Sequence, residues 1–165
     1  TLRIAGDEMD QYIINYVRKK YIILIGERNA EDVKISIGSA SPFDEEKKIL
    51  VQGRDLLTGL PKTVEFTSVE AREAMMGTID IITDSVKDAI EETPPELLKD
   101  LLSAGVHVVG GGALIPGLDK YWQEELKMPI KIVDDPLSAV ARGTAKMLDH
   151  IDLLDRVQKS WEELV

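Results

Sequence analysis

Residues 106–120 read VHVVGGGALIPGLDK: four strand-forming residues run into Gly110-Gly111-Gly112, and a helix begins a few positions later. Three adjacent glycines leave the backbone bare. At the C-terminal edge of an open α/β sheet, that is where such folds bind ligands. Without Cβ atoms the chain reaches positive φ, and a flat group can lie directly on the peptide planes. Ala113 keeps the place small, and Pro116 with Gly117 sets the next helix going. The same glycines would also serve a tight strand-to-helix turn with no ligand at all. No Gly-Lys-Ser/Thr follows at P-loop spacing, and no third glycine completes a G-x-G-x-x-G dinucleotide turn. A nucleotide bound here would present its base or ribose to the turn, not its phosphates.

Other reactive side chains offer less. There is no cysteine, hence no disulfide framework and no thiolate zinc site, and the two histidines, His107 and His150, lie far apart. His107 falls in the strand before the glycines, where a hydrogen-bonded core residue is expected. His150 falls at a helix end, which favours a cation. Asp7, Glu8 and Asp10 could hold a metal, but a helix N-terminus favours acidic side chains anyway, and that is the expectation here. Met75 and Met76 read as core packing. No catalytic or metal-ligating residue is assigned.

The elements that would position the turn follow from pattern. A first helix is expected from about Glu8 to Lys20, capped by Asp7, with Met9, Ile13, Tyr16 and Val17 at helical spacing. A shorter one covers NAEDVKISI, capped by Asn29 and ended by Gly38. Residues 47–53 and 63–67, parted by Gly59 and Pro61, suggest an antiparallel pair. Thr67-x-x-Glu70 is a capping box opening a long helix whose apolar face is Met75, Ile79, Ile82, Val86 and Ile90. Thr93-Pro94-Pro95-Glu96 reads as a second box, with its helix ending near Gly105. Strand 106–109, helix 118–126, strand 130–133 and helix 136–148 then alternate, which predicts an α/β layer. A final amphipathic stretch, 151–164, carries Leu154, Val157, Trp161 and Leu164 on one side and an acidic polar face unsuited to a membrane surface.

Bulk composition narrows the function classes. The 165 residues are 44% hydrophobic and 30% charged, with a formal charge of -10. Such acidity argues against general binding to nucleic acid or anionic membrane. No apolar run approaches the roughly 18–20 residues that span a bilayer, and TLRIAGDEMD lacks the regions of a secretory signal. The composition reads as soluble and intracellular. TLRIAG has the pattern of a strand leaving a sheet, so a piece of a larger protein is expected.

Six stretches carry a resemblance: GDEMD (6–10), IGERNAEDVKISIGSA (25–40), GRDLLTGLPKTVE (53–65), TPPELLKDLL (93–102), GGGALIPGLDK (110–120) and DDPLSAVARGTAKML (134–148). Together and in order they resemble the MreB family, bacterial actin homologues that organise cell-wall synthesis in rod-shaped cells. They cover only the second half of that family. The resemblance implies an α/β, actin-like ATPase fold of two lobes, with ATP and Mg2+ in the cleft between them. This chain is similar to lobe II: residues 6–76 as a small α+β subdomain IIB, inserted in an RNase H-like subdomain IIA at 1–5 and 77–165. Glu31-Asp32-Val33-Lys34 matches the superfamily's Glu-x-x-Lys, which reaches ribose and adenine. Gly111, Gly112, Ala113 and Leu114 match its adenosine motif over the base, and Val140–Ala145 resembles the small-residue helix packed behind it. Positions i and i+3 share a helix face. A carboxylate at Glu31 can accept bonds from two ribose hydroxyls while the Lys34 stem lies along the base. Without the resemblance the pair reads as a surface ion pair worth at most about 1 kcal/mol.

The resemblance also places the phosphate loops and the residue that orients the attacking water outside these residues. Phosphoryl transfer depends on clamping phosphates and metal, so this chain alone is expected to be no ATPase. The implied role is the adenosine-binding, self-associating lobe of a cytoplasmic filament protein that meets the membrane through its other lobe. RodZ and the cell-wall elongation machinery are the implied partners. A different class is an interaction module that caps filaments or binds a partner without nucleotide. A lobe of a sugar kinase or chaperone is disfavoured by GRDLLTGLPKTVE, which is similar to the MreB group specifically.

Overall fold

The computed structural model describes residues 1–149; His150 and the amphipathic stretch 151–164 lie outside the described residues. Helix α1 (Gly6–Tyr21) buries Met9, Ile13 and Val17, the i, i+4, i+8 set of one face. Its N-cap is Ala5 and not the expected Asp7, which sits with Glu8 in the first turn, where acids complement the dipole. Residues 1–4 form no strand, contrary to expectation, because no described strand pairs with them. Helix α2 (Glu27–Ile37) is capped at Gly26, three residues before the expected Asn29. Asn29 is therefore inside the helix, and its amide donates to Gln52 O at 3.1 Å.

Between and after these helices runs an antiparallel sheet in the order β1 (Ile23–Leu24), β2 (Lys48–Asp55), β3 (Pro61–Thr67). The expected hairpin is present, in the register Val51 opposite Val64. Its turn is closed by Asp55, which accepts from the N–H groups of Leu57 and Thr58 and pairs with Lys62 at 2.9 Å. Strand β1 is too short for any periodicity to announce it.

The capping box at Thr67 and Glu70 forms as expected and opens α3 (Ser68–Glu91), a 24-residue helix. Ala71, Ala74, Met75, Ile79 and Thr83 are buried along it. This helix passes unbroken through the expected boundary at 76–77, and one apolar cluster follows it from Ile13 and Phe66 to Trp122 and Ile130. Trp122 donates its indole N–H to the buried Thr83 hydroxyl at 2.9 Å.

Glu70 also meets Lys20 at 2.7 Å and the Tyr21 hydroxyl. Burial alone would raise its pKa, but Lys20, Tyr21 and Thr67 together hold it down to about 2. The folded carboxylate binds its proton less readily than the unfolded one. Its contribution is therefore full above the usual 4.5 and fades as pH falls towards about 2. Denaturation of the intact protein should show a steeper stability loss across that window in the wild type than in Glu70→Gln. Parallel pH profiles would contradict this.

The second box does not form. Pro94 takes the cap position of α4 (Pro95–Ala104), and Thr93 turns back to donate to Ala89 O at 2.9 Å, finishing α3 instead. Strand β4 (Val106–Val108) pairs in parallel with β5 (Ile130–Ile132), and α5 (Leu118–Leu126) connects them, burying Leu118, Trp122 and Leu126. Val106 and Val108 pack on the core while His107, on the alternate face, is exposed. Its expected place in the core is thus corrected: only one side of this two-stranded sheet is covered among the described residues. Helix α6 (Ala139–Leu148) closes the described chain.

Candidate functional site

After β4 the chain turns at Gly110, whose φ of 87° only glycine adopts without strain. Its N–H donates to Pro136 O at 2.8 Å, tying the turn to the segment before α6. Gly111–Leu114 form a single 3-10 turn, held by Ala113 N–H to Gly110 O at 3.2 Å and Ile115 N–H to Gly112 O at 3.1 Å. Ala113 is buried beneath, while Gly111, Gly112 and Leu114 are exposed. A Cβ at Gly111 would rest 3.6 Å from Leu137, and one at Gly112 would meet nothing within 4 Å. Open space therefore lies against the Gly112 peptide, flanked by the exposed Leu137. A flat, largely apolar group suits that surface.

Helix α6 does not pack behind the turn in the expected way. None of its residues is buried and Val140 is 65% exposed. The contacts to the turn come from Pro136 and Leu137, just before the helix. Side chains as small as those of Ala141, Gly143 and Ala145 have no reach of their own.

The second group of expected residues lies on α2. Glu31 and Lys34 do not pair with each other. Lys34 Nζ donates to Asp10 Oδ2 at 2.8 Å and to Gly6 O at 3.1 Å, with side chains 16% and 11% exposed in the ion pair. The lysine's charge is thus committed to α1, and its stem is what remains to line a site. Asp10 Oδ1 is buried without a hydrogen-bond partner among the described residues. Glu31 is exposed and unpaired among them. With Asp7, Glu8, Asp10, Gln11, Glu27 and Arg28 it lines an open groove of about 540 Å3 at the N-terminal ends of α1 and α2. Its carboxylates outnumber the Arg28 guanidinium and offer acceptors to a hydroxyl-bearing group. Among the described residues no acidic or histidine cluster is placed to hold a metal.

The two groups are joined by a contact that spacing did not reveal. Ala40 N–H donates to Pro116 O at 2.8 Å and the Ser41 hydroxyl to Gly117 O at 2.9 Å. The loop leaving α2 is thereby docked on the residues leaving the glycine turn. Arg72 of α3 holds this loop from the other side, through Ser39, Ser41 and Glu46. A cation near the start of a helix opposes the dipole; that was the one signal in the sequence that Arg72 had a specific partner. No hydrogen bond runs between residues 110–114 and the side chains of Glu31 or Lys34 among the described residues; this joint connects their two segments directly, and the apolar cluster along α3 connects them from beneath.

A family model described as MreB/Mbl protein matches residues 1–156. The chain belongs to the MreB/Mbl family. It is 42% identical over 156 residues to the cell shape-determining protein Mbl of Bacillus subtilis, covering 94% of this chain and 47% of Mbl. It is 44% identical over 153 residues to the cell shape-determining protein MreB of Escherichia coli, covering 93% of this chain and 44% of MreB. The chain thus spans about half the length of these curated relatives. Crystal structures of MreB5 of Spiroplasma citri bound to ADP and to AMPPNP each superpose with a TM-score of 0.89, at 40% and 38% identity. They cover 91% and 95% of this chain, and 46% and 47% of MreB5. A double helical filament of MamK matches with a TM-score of 0.73 over 90% of this chain and 45% of MamK, at 20% identity, a likeness of fold. The expected actin-like α/β fold therefore holds, with this MreB/Mbl chain forming part of it. Among the described residues no helix is long and apolar enough to cross a membrane.

Proposed function

We propose that this chain is the adenosine-binding lobe of a filament-forming MreB/Mbl protein that takes part in cell-wall synthesis and cell shape on the cytoplasmic side of the membrane. The base rests on the peptides of Gly111 and Gly112 with Ala113 beneath and Leu114 at the rim. Glu31 accepts hydrogen bonds from the ribose hydroxyls, and the Lys34 stem, steadied through Asp10, borders the base. The observation that carries this is the open face of Gly112, where a side chain would meet no protein atom within 4 Å. The ADP and AMPPNP in the MreB5 relatives support it.

ATP fits this donor set only by its nucleoside end. The family resemblance puts the phosphate loops outside these residues, and among the described residues no acidic or histidine cluster is placed to hold a metal, so phosphates and Mg2+ fall to residues other than these. Bound ATP supplies the phosphoryl group whose hydrolysis this lobe does not itself catalyse; the lobe's work is to seat the nucleoside. In the division proposed, residues 6–76 form subdomain IIB, and 1–5 with 77–165 form subdomain IIA, with α3 running through both. Self-association uses the hairpin end of IIB, where Leu57 and Leu60 are 83% and 65% exposed. RodZ is the proposed partner at IIA.

Titration calorimetry of the intact protein tests the site. A charge-assisted hydrogen bond contributes about 1.5–3 kcal/mol, so Glu31→Ala should weaken ADP binding by at least about tenfold. Absent nucleotide binding with filament association retained would instead support the role of a nucleotide-free interaction module.

A further inference from the structure

We infer that Arg72 is a positioning residue for the adenosine site, setting the distance between α2 and the glycine turn without touching the nucleotide. This rests on the site proposed above. Arg72 is 13% exposed, and its guanidinium donates to Ser39 Oγ at 3.0 Å, Ser41 O at 3.2 Å and Glu46 Oε1 at 2.6 Å. Glu46 is itself anchored by the Ser68 hydroxyl at the start of the same helix. Three acceptors in different directions suit the planar fork of arginine and not the single ammonium of lysine. The loop so held is buried from Gly38 to Ala40.

Among the described residues that loop makes the direct hydrogen bonds between the segment leaving α2 and the segment leaving the glycine turn, through Ala40 to Pro116 and Ser41 to Gly117. Ser41 uses its carbonyl towards Arg72 and its hydroxyl towards Gly117. Gly117 has φ 75°, and a Cβ there would lie 2.7 Å from that of Ser41, so the joint has no slack. On one side, Gly38 N–H bonds Lys34 O at 3.0 Å, one turn from Glu31. On the other, Gly117 follows the 3-10 turn by only three residues. Loss of the clamp would let Glu31 and the Gly112 face separate, and a shift near 1 Å is enough to degrade a hydrogen bond to a bound ribose.

A double-mutant cycle on the intact protein separates positioning from general stability. ADP affinity is measured by calorimetry for the wild type, Arg72→Leu, Glu31→Ala and the double variant, with melting temperatures alongside. Arg72→Leu is expected to weaken ADP by about tenfold, and the double variant to bind no more than about twofold more weakly than Glu31→Ala alone. Glu70→Gln, which loosens the same end of α3 away from the loop, should lower the melting temperature and leave affinity unchanged. Ser41→Ala, which removes only the hydroxyl bond to Gly117, should give a smaller loss in the same direction and serves if Arg72→Leu does not fold. Undiminished affinity in Arg72→Leu and Ser41→Ala, or losses that add fully to that of Glu31→Ala, would overturn the positioning role. If Glu31→Ala itself binds ADP normally, the adenosine site is what fails.

Discussion

Replacing Gly112 by valine is expected to weaken adenine-nucleotide binding on the order of 100-fold while leaving the melting temperature of the intact protein within about 2 °C of wild type. The two halves of that expectation have one cause. A Cβ at Gly112 would meet no protein atom within 4 Å, so nothing in the fold resists it. The backbone there is not in the left-handed region, so valine brings no strain of that kind. The added branches would fill the space assigned to the purine. Losing a stacked base costs about 1–3 kcal/mol before any clash is counted, so an affinity loss on the order of 100-fold is expected. Gly110→Val makes the contrast: at φ 87° it should lower the melting temperature markedly, whatever it does to binding. ADP titration and thermal melts of both variants give the check. Unaltered affinity in Gly112→Val would remove the base from this turn.

Leu57→Asp combined with Leu60→Asp should prevent filament assembly while leaving nucleotide affinity intact. These leucines stand at the tip of the β2–β3 hairpin, whose turn is held by Asp55 and Lys62 and owes nothing to their side chains. In the monomer the change is made in water and costs the fold little. In a subunit contact each leucine would contribute about 1.5–3 kcal/mol, and each new carboxylate would have to be desolvated. The critical concentration should rise by at least about 30-fold, read by light scattering or pelleting with ATP. Normal polymer from the double variant would move the subunit contact away from this tip.

The hairpin shows how far local signals reach. Two extended runs, 47–53 and 63–67, parted by Gly59 and Pro61 predicted an antiparallel pair, and it formed with both strands reaching two residues further towards the turn. Thr67 and Glu70 predicted a capping box, and it formed. At Thr93 the same type of signal misled, because Pro94 had already taken the cap position and the threonine hydroxyl found a carbonyl behind it. His107 was misplaced for another reason. Strand pattern tells that alternate residues face opposite ways, but not whether the second face is covered.

What the sequence determined by itself was what neighbours within a few residues decide: the main helices and strands, the bare glycine turn and the family pattern. It also put Glu31 and Lys34 on one helix. Only the tertiary structure decided that Lys34 answers to Asp10, 24 residues away, and that Arg72 reaches Ser41 and Glu46 to join that helix to the glycine turn. Helical periodicity states which side chains share a face, whereas the partner a charge meets depends on how separate elements pack, and packing is set by the shape of the whole apolar cluster.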